Sequence, residues 1–108
     1  MNFEIELTDN FKKEAKKLIK KYRSLKKELA TLFEELTGNP TMGTPLGQQV
    51  FKIRLAISSK GKGKSGGARV ITYVRIDEKT VLIFSIYDKG EKDSISDKEI
   101  IELLNKYA

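Results

Sequence analysis

The sequence predicts an α+β fold with the element order β-α-α-β-β-β-α, and three observations carry that prediction. Apolar residues alternate with period two at Phe3, Ile5 and Leu7 and again from Phe51 onward, the spacing of strands with one buried face. Between those stretches the spacing lengthens to three and four, the period of amphipathic helices. Near the C-terminus, Ser96-Asp97-Lys98-Glu99 has the spacing of a capping box and opens a further helix.

Each element follows in turn. Phe3, Ile5 and Leu7, alternating with Glu4 and Glu6, give the first strand. Thr8 or Asp9 caps a helix that begins near Asn10, with Phe11, Ala15, Leu18, Ile19 and Tyr22 on its apolar side and lysines on the other. Ser24 caps a second helix whose stripe is Leu25, Leu29, Leu32, Phe33 and Leu36. So short a link makes the two helices an antiparallel hairpin. Gly38-Asn39-Pro40, Gly43, Pro45 and Gly47 read as a loop. Phe51, Ile53, Leu55 and Ile57 then alternate as a half-buried strand, and Ser58 to Gly67 is a Gly/Ser/Lys connection. Ala68 to Ile76 and Thr80 to Tyr87 are β-prone and joined by a turn at Asp77-Glu78-Lys79, which makes them a hairpin. Asp88 to Asp93 is a charged loop, and Ile100, Ile101, Leu103 and Leu104 mark the apolar side of the last helix.

Composition narrows what such a fold can do. The chain has 108 residues, enough for one domain with one modest core, so a single domain over 1–108 is expected. There is no Cys, so disulfides, thiolate metal sites and Cys nucleophiles are excluded. There is no His either, which removes Ser-His-Asp triads, His-ligated zinc and imidazole acid/base chemistry. No apolar run approaches the roughly 18 residues of a membrane span, and the acidic, alternating N-terminus is unlike a signal peptide. A cytoplasmic protein with no membrane association is expected.

The formal charge of +6 is unevenly placed. No acid falls between Leu36 and Ile76, a window that holds Lys52, Arg54, Lys60, Lys62, Lys64, Arg69 and Arg75. Strand parity sharpens this picture. With Phe51, Ile53 and Leu55 turned toward the helices, Lys52 and Arg54 share the opposite face. In the next strand Val70, Thr72, Val74 and Ile76 form the more apolar parity, so Arg69, Ile71, Tyr73 and Arg75 face away from the helices. Several cations on one open sheet face are costly as a core and suited to an anion such as a nucleic-acid backbone. Gly63-Lys64-Ser65 matches the end of a phosphate-loop motif, but Ser58 stands where its first Gly belongs and a strand follows, so the helix N-terminus of such a cradle is missing. Asp88, Glu91 and Asp93 are interleaved with Lys89 and Lys92, a poor pattern for a divalent metal, and no metal site is expected. Glu91 is an acid/base candidate in this cationic setting.

Phe51-Lys52-Ile53-Arg54-Leu55, then Gly61-Lys62-Gly63-Lys64-Ser65-Gly66-Gly67-Ala68-Arg69-Val70-Ile71, then Ile86-Tyr87-Asp88-Lys89-Gly90-Glu91-Lys92 resemble the RelE/ParE toxin superfamily of type II toxin–antitoxin systems, most of all its HigB-type, RelE-like branch. The resemblance covers nearly the whole chain and implies the RelE-like microbial RNase fold, an antiparallel sheet backed by the helical hairpin and a short C-terminal helix. It implies a ribosome-dependent mRNA interferase that needs no metal or other cofactor and is neutralised by a cognate antitoxin. In that chemistry the mRNA 2′-hydroxyl attacks its own adjacent phosphate, so the protein supplies cations around a phosphorane rather than a nucleophile. By match to the family pattern, Lys52, Arg54 and Arg69 lie where substrate and phosphate are contacted, with Arg69 stabilising the transition state. Lys60, Lys62 and Lys64 would hold the RNA backbone, with Arg75 and Tyr73 as further RNA contacts.

The chain departs from the pattern at two places. Gly90 stands where several relatives carry a late Arg, and Ser96 stands near where many have a Tyr or His as general base. Lys89, Glu91 and Tyr87 are the candidates for that base. A ParE-like inhibitor of DNA gyrase acting by binding, or a catalytically inactive relative, are the alternatives that the same resemblance allows.

Overall fold

The computed structural model describes residues 2–61, 63 and 66–108. Glu4–Leu7 forms β1, and Thr8 turns the chain into α1 (Asp9–Lys21). Thr8 Oγ1 accepts the Phe11 N–H, while its own proton faces the carbonyls of Ile83 and Phe84, so one hydroxyl caps the helix and fixes it to the sheet. After Tyr22 the chain turns into α2 (Leu25–Gly38). Ser24 precedes that helix without capping it. Its Oγ is engaged by the Glu28 carboxylate and by Ser59, so it ties α2 to the distant 3-10 turn instead.

Five strands form one sheet in the order β1-β5-β4-β3-β2, where β2 is Thr44–Gly47, β3 Val50–Leu55, β4 Ala68–Arg75 and β5 Thr80–Asp88. A 3-10 turn at Ser58–Lys60 follows β3, and α3 spans Asp97–Tyr107 behind the expected Ser96–Glu99 capping box. The elements read from the sequence are all present, with two differences. The segment expected to be only a loop contributes β2, an outer strand where Pro45 needs no N–H partner on its free side. The sheet is also mixed rather than antiparallel, because β1 runs parallel to β5. Where β1 stops, α1 side chains continue along the β5 edge: Asn10 Nδ2 donates to the Phe84 carbonyl and Glu14 Oε1 accepts the Ile86 N–H. That covers an edge otherwise open to another strand.

The sheet carries a core on each face. On one face Phe11, Ala15 and Leu18 of α1 and Leu25, Leu29, Leu32 and Leu36 of α2 pack on Ile53, Val70, Val81, Ile83 and Ile86. On the other, Val50, Ile71, Leu82, Phe84 and Tyr87 meet Ile100 of α3. The parity argument holds for Ile53 and Val70, yet the face expected to be open is partly roofed by α3. Ile76, expected in the buried parity, lies in the turn after β4 and is 58% exposed.

A one-residue irregularity in β5 allows this arrangement. Ile71 pairs with Ser85 and Thr72 with Ile83, so Phe84 has no partner in the ladder. Leu82 and Phe84 therefore share a face with Tyr87, while Val81 and Ile83 share the other with Ile86.

Candidate nucleic-acid interface

Antiparallel pairing sets three residues in a row across the sheet. Arg54 of β3 lies opposite Arg69 of β4, and Arg69 lies opposite Tyr87 of β5. One step along, Lys52 lies opposite Ile71, and Thr44 lies opposite Lys52. Directly opposed side chains point to the same face, so Lys52, Arg54, Arg69 and Tyr87 share the face away from α1 and α2. Arg54 is exposed, Lys52 half-buried, and Arg69 only 4% exposed, with its Nη1 donating to the Ala68 carbonyl at 3.1 Å. Two guanidinium groups opposed across a ladder repel each other, and an anion between them would remove that cost.

The segment after β5 completes this end of the sheet. Lys92 Nζ stands 5.3 Å from the centre of the Tyr87 ring and pairs with Glu99 at the start of α3. Lys89 is held through its side chain by Asp93 and through its backbone N–H by the Gly67 carbonyl at 3.0 Å. The Tyr87 hydroxyl is buried and no group meets it in hydrogen-bond geometry among the described residues. Burial pushes its pKa above the ordinary value, outweighing the nearby Ile95 backbone and the field of Arg69, Lys92 and Lys89. At neutral pH it is a phenol that can donate a proton.

Other residues singled out in the sequence lie elsewhere. Lys60 is on the α1 side, where it pairs with Asp88. Asp88, with its side chain 2% exposed, also accepts the Tyr22 hydroxyl at 2.6 Å and the Gly90 N–H at 2.9 Å. Burial alone would raise the Asp88 carboxyl, but Lys60, Tyr22 and Gly90 prevail and hold it below the ordinary range. Glu91 is exposed and bonded to Lys21 of α1 at 2.8 Å. Asp88 thus pairs with Lys60, Glu91 with Lys21, which also reaches Asp88 at 4.0 Å, and Asp93 with Lys89, and among the described residues no three acidic groups gather as a metal site. Arg75 lies at the far end of β4, beside Glu78 and donating to the Tyr107 carbonyl at 3.2 Å. Tyr73 stacks on Phe84 beneath α3, with ring centres 5.3 Å apart. Lys62 and Lys64 lie outside the described residues.

Sequence reasoning missed Lys92 as a member of the site and Asp88 as an anchor beside it. Lys92 counted only as a charge in a loop, although its position five residues beyond Tyr87 allows it to fold back over that ring. Asp88 was weighed only as a metal ligand. Its place at the end of an apolar run, Val81 to Tyr87, interrupted only by Ser85, was the available signal of a buried and therefore partnered carboxylate.

Comparison with known proteins bears on the family and the fold. Residues 5–108 match the family model described as the RelE toxin of the RelE/RelB toxin–antitoxin system. Among solved structures, a double mutant of the E. coli toxin RelE in the free state superposes with a TM-score of 0.64 at 14% identity, over 100% of each chain. At that identity the likeness speaks for the fold. Among the described residues no helix is long and apolar enough to cross a membrane.

Proposed function

Since the chain belongs to the RelE toxin family, and so to a toxin–antitoxin system with an antitoxin partner, we propose that it is a ribosome-dependent endoribonuclease that cleaves translated mRNA in the cytoplasm. The observation that carries the reading is the row Arg54–Arg69–Tyr87, with Lys52 beside it and Lys92 over the phenol. In the reaction the ribose 2′-oxygen bonds to the adjacent phosphorus and the bond to the 5′-oxygen breaks, leaving a 2′,3′-cyclic phosphate and a 5′-hydroxyl. The 2′ proton passes to a base and a proton returns to the departing oxygen. Negative charge grows on the non-bridging oxygens, and a preorganised guanidinium at Arg69 stabilises it without reorganising at the moment of reaction. Arg54 and Lys52 bind the flanking phosphates. Tyr87, kept protonated by burial, acts as the acid for the leaving oxygen, and Lys89 is the remaining base candidate on this side of the sheet. Glu91, bonded to Lys21 on the α1 side, is the weaker choice.

The test is induction of the wild-type chain and of Arg69→Ala from a tight promoter, with primer extension on a ribosome-engaged mRNA. Growth arrest with new 5′ ends in translated regions is expected for the wild type. For Arg69→Ala, cleavage should fall by about 10²–10³-fold, the usual loss for one transition-state donor. Arrest without new ends would transfer the reading to a binder such as a gyrase inhibitor, and absence of arrest to an inactive relative.

A further inference from the structure

Tyr87 and Asp88 are adjacent in β5, so their side chains leave the sheet on opposite sides, Tyr87 in the cationic row and Asp88 toward the helical hairpin. Asp88 nevertheless makes three hydrogen bonds to the turn that follows it. Its Oδ1 accepts the Gly90 N–H at 2.9 Å, and its carbonyl accepts the N–H groups of Glu91 and Lys92, each at 3.0 Å. The chain therefore doubles back within four residues, and Lys92 returns with its Nζ 5.3 Å from the centre of the Tyr87 ring. In the same turn the Lys89 N–H donates to the Gly67 carbonyl at 3.0 Å, which joins it to the residue before β4 and so to the strand of Arg69. Turns closed by a short polar side chain are ordinarily surface features. Here that side chain is 2% exposed and also accepts from Lys60 Nζ of the 3-10 turn and, at 2.6 Å, from the Tyr22 hydroxyl at the end of α1.

We propose that Asp88 is a positioning residue for the candidate RNA site, acting through the turn that carries Lys89 and Lys92 and not through contact with RNA. Lys89 pairs with Asp93 and Lys92 with Glu99, but these carboxylates are largely exposed and hold only the side-chain ends. The path of the backbone is set first, at Asp88. The three donors to its carboxylate have separate tasks. Lys60 supplies the counter-charge, Tyr22 ties the group to the hairpin, and Gly90 alone belongs to the turn. Charge and acceptor can therefore be separated. Asp88→Asn keeps an oxygen for Gly90 and Lys60 and turns its amide N–H groups toward the Tyr22 oxygen, so only the charge is lost, whereas Asp88→Ala loses the acceptor itself. That these lysines serve RNA cleavage rests on the nuclease reading; the tie between Asp88 and Lys92 does not.

The full chain is compared with Asp88→Asn and Asp88→Ala, each followed by thermal melting and assayed below its transition. One readout is the NMR signal of the Lys92 ε-methylene protons, displaced by the ring current of Tyr87, with Tyr87→Leu giving the undisplaced position. The other is cleavage of ribosome-engaged mRNA, resolved into a rate at saturation and a half-saturating concentration. Both Asp88 variants should melt lower than the wild type. Asp88→Asn should keep the Lys92 displacement and a rate close to the wild type. Asp88→Ala should lose the displacement and about 10²-fold in saturated rate, the cost of a misplacement of about 1 Å, with half-saturation little changed because Lys52 and Arg54 are untouched. Displacement and rate both intact in Asp88→Ala would overturn the proposal. So would rates that fall alike in the two variants, in step with their melting temperatures, while the displacement persists. If Asp88→Ala fails to fold, Gly90→Pro removes the same hydrogen bond from the donor side and leaves Asp88, Lys60 and Tyr22 in place. Loss of the displacement there supports the proposal and its persistence defeats it. A wild-type chain that cleaves no mRNA defeats the nuclease reading, and the Lys92 displacement then decides the positioning role by itself.

Discussion

Arg69 and Asp88 are both ionised groups withdrawn from water, and they stand in different surroundings. Asp88 is surrounded by Lys60, Tyr22 and the Gly90 N–H, each donating to its carboxylate. Arg69 faces another guanidinium across the ladder. The first is a structural anchor, and the second stands in the row proposed above to meet the RNA phosphate. Asp88→Asn should cost about 3 kcal/mol of stability at pH 7, because it leaves Lys60 partly buried without its counter-charge. The sign with pH is fixed by the lowered Asp88 pKa. Its contribution is present above the ordinary value of 3.8 and is lost as pH falls through the lower folded value. Urea unfolding of both proteins should therefore show a gap at pH 7 that narrows in acid. At this scale the sequence was partly legible. Cations in an acid-free window and strand parity located Lys52, Arg54 and Arg69 on one face. Lys60, from the same window, is on the other side of the sheet, because nothing local to a loop lysine says which buried carboxylate it will meet.

Turns and edges decide the elements that periodicity left unread. The β2–β3 connection is a two-residue hairpin turn in which Gln48 and Gln49 both have positive φ, 53° and 65°. Such turns favour Asn-Gly, and nothing in Gln-Gln announces one, which is why this stretch reads as loop. Replacing Gln48-Gln49 with Asn-Gly should raise stability by about 1 kcal/mol, seen as a higher denaturant midpoint at unchanged slope. Gly67 makes the opposite case. A Cβ there would sit 2.1 Å from the Leu55 carbonyl oxygen and 3.1 Å from the Ile57 nitrogen, both backbone atoms that have little room to move. Gly67→Ala should cost about 2 kcal/mol or more, with hydrogen exchange accelerated first at the Leu55–Ala68 end of β3 and β4. The long helices and the capping box of α3 were readable because their signals are local and repeat; β1's parallel pairing was not, because its partner lies more than seventy residues away.

For the molecule as a whole, the sheet separates two charged surfaces of the same sign. One carries Lys52, Arg54, Arg69 and Lys92, and the other the lysine rim of α1. Binding of RNA to the first should weaken steeply with salt. With about four phosphate contacts the slope of log affinity against log salt is about −3 for a single strand, and Arg54→Ala should reduce it by about 0.7. Fluorescence anisotropy across a salt series reads both quantities. Composition foretold a single basic domain, and the resemblance of three short segments foretold the fold. That the second face is half-closed by α3 depends on Ile100, Leu103, Leu104 and Tyr107 reaching Phe84 and Ile71, a long-range match that an apolar stripe alone does not specify.

The unpaired Phe84 in β5 acts on the protein as a reading frame acts on a message. Upstream of it even-numbered side chains look toward α3, and downstream odd-numbered ones do. Deletion of that single residue would close the bulge and leave a regular ladder, with Ile86 still opposite Val70 and Tyr87 still opposite Arg69. Deletion of the paired Ile86 instead would put the remainder of the strand out of phase: Tyr87 would turn in toward the helical hairpin, and Asp88 would leave Tyr22 and Lys60 for the place opposite Arg69. Substitutions in this strand alter one contact at a time, whereas a one-residue change in its length beyond the bulge exchanges the anchor and the candidate site together.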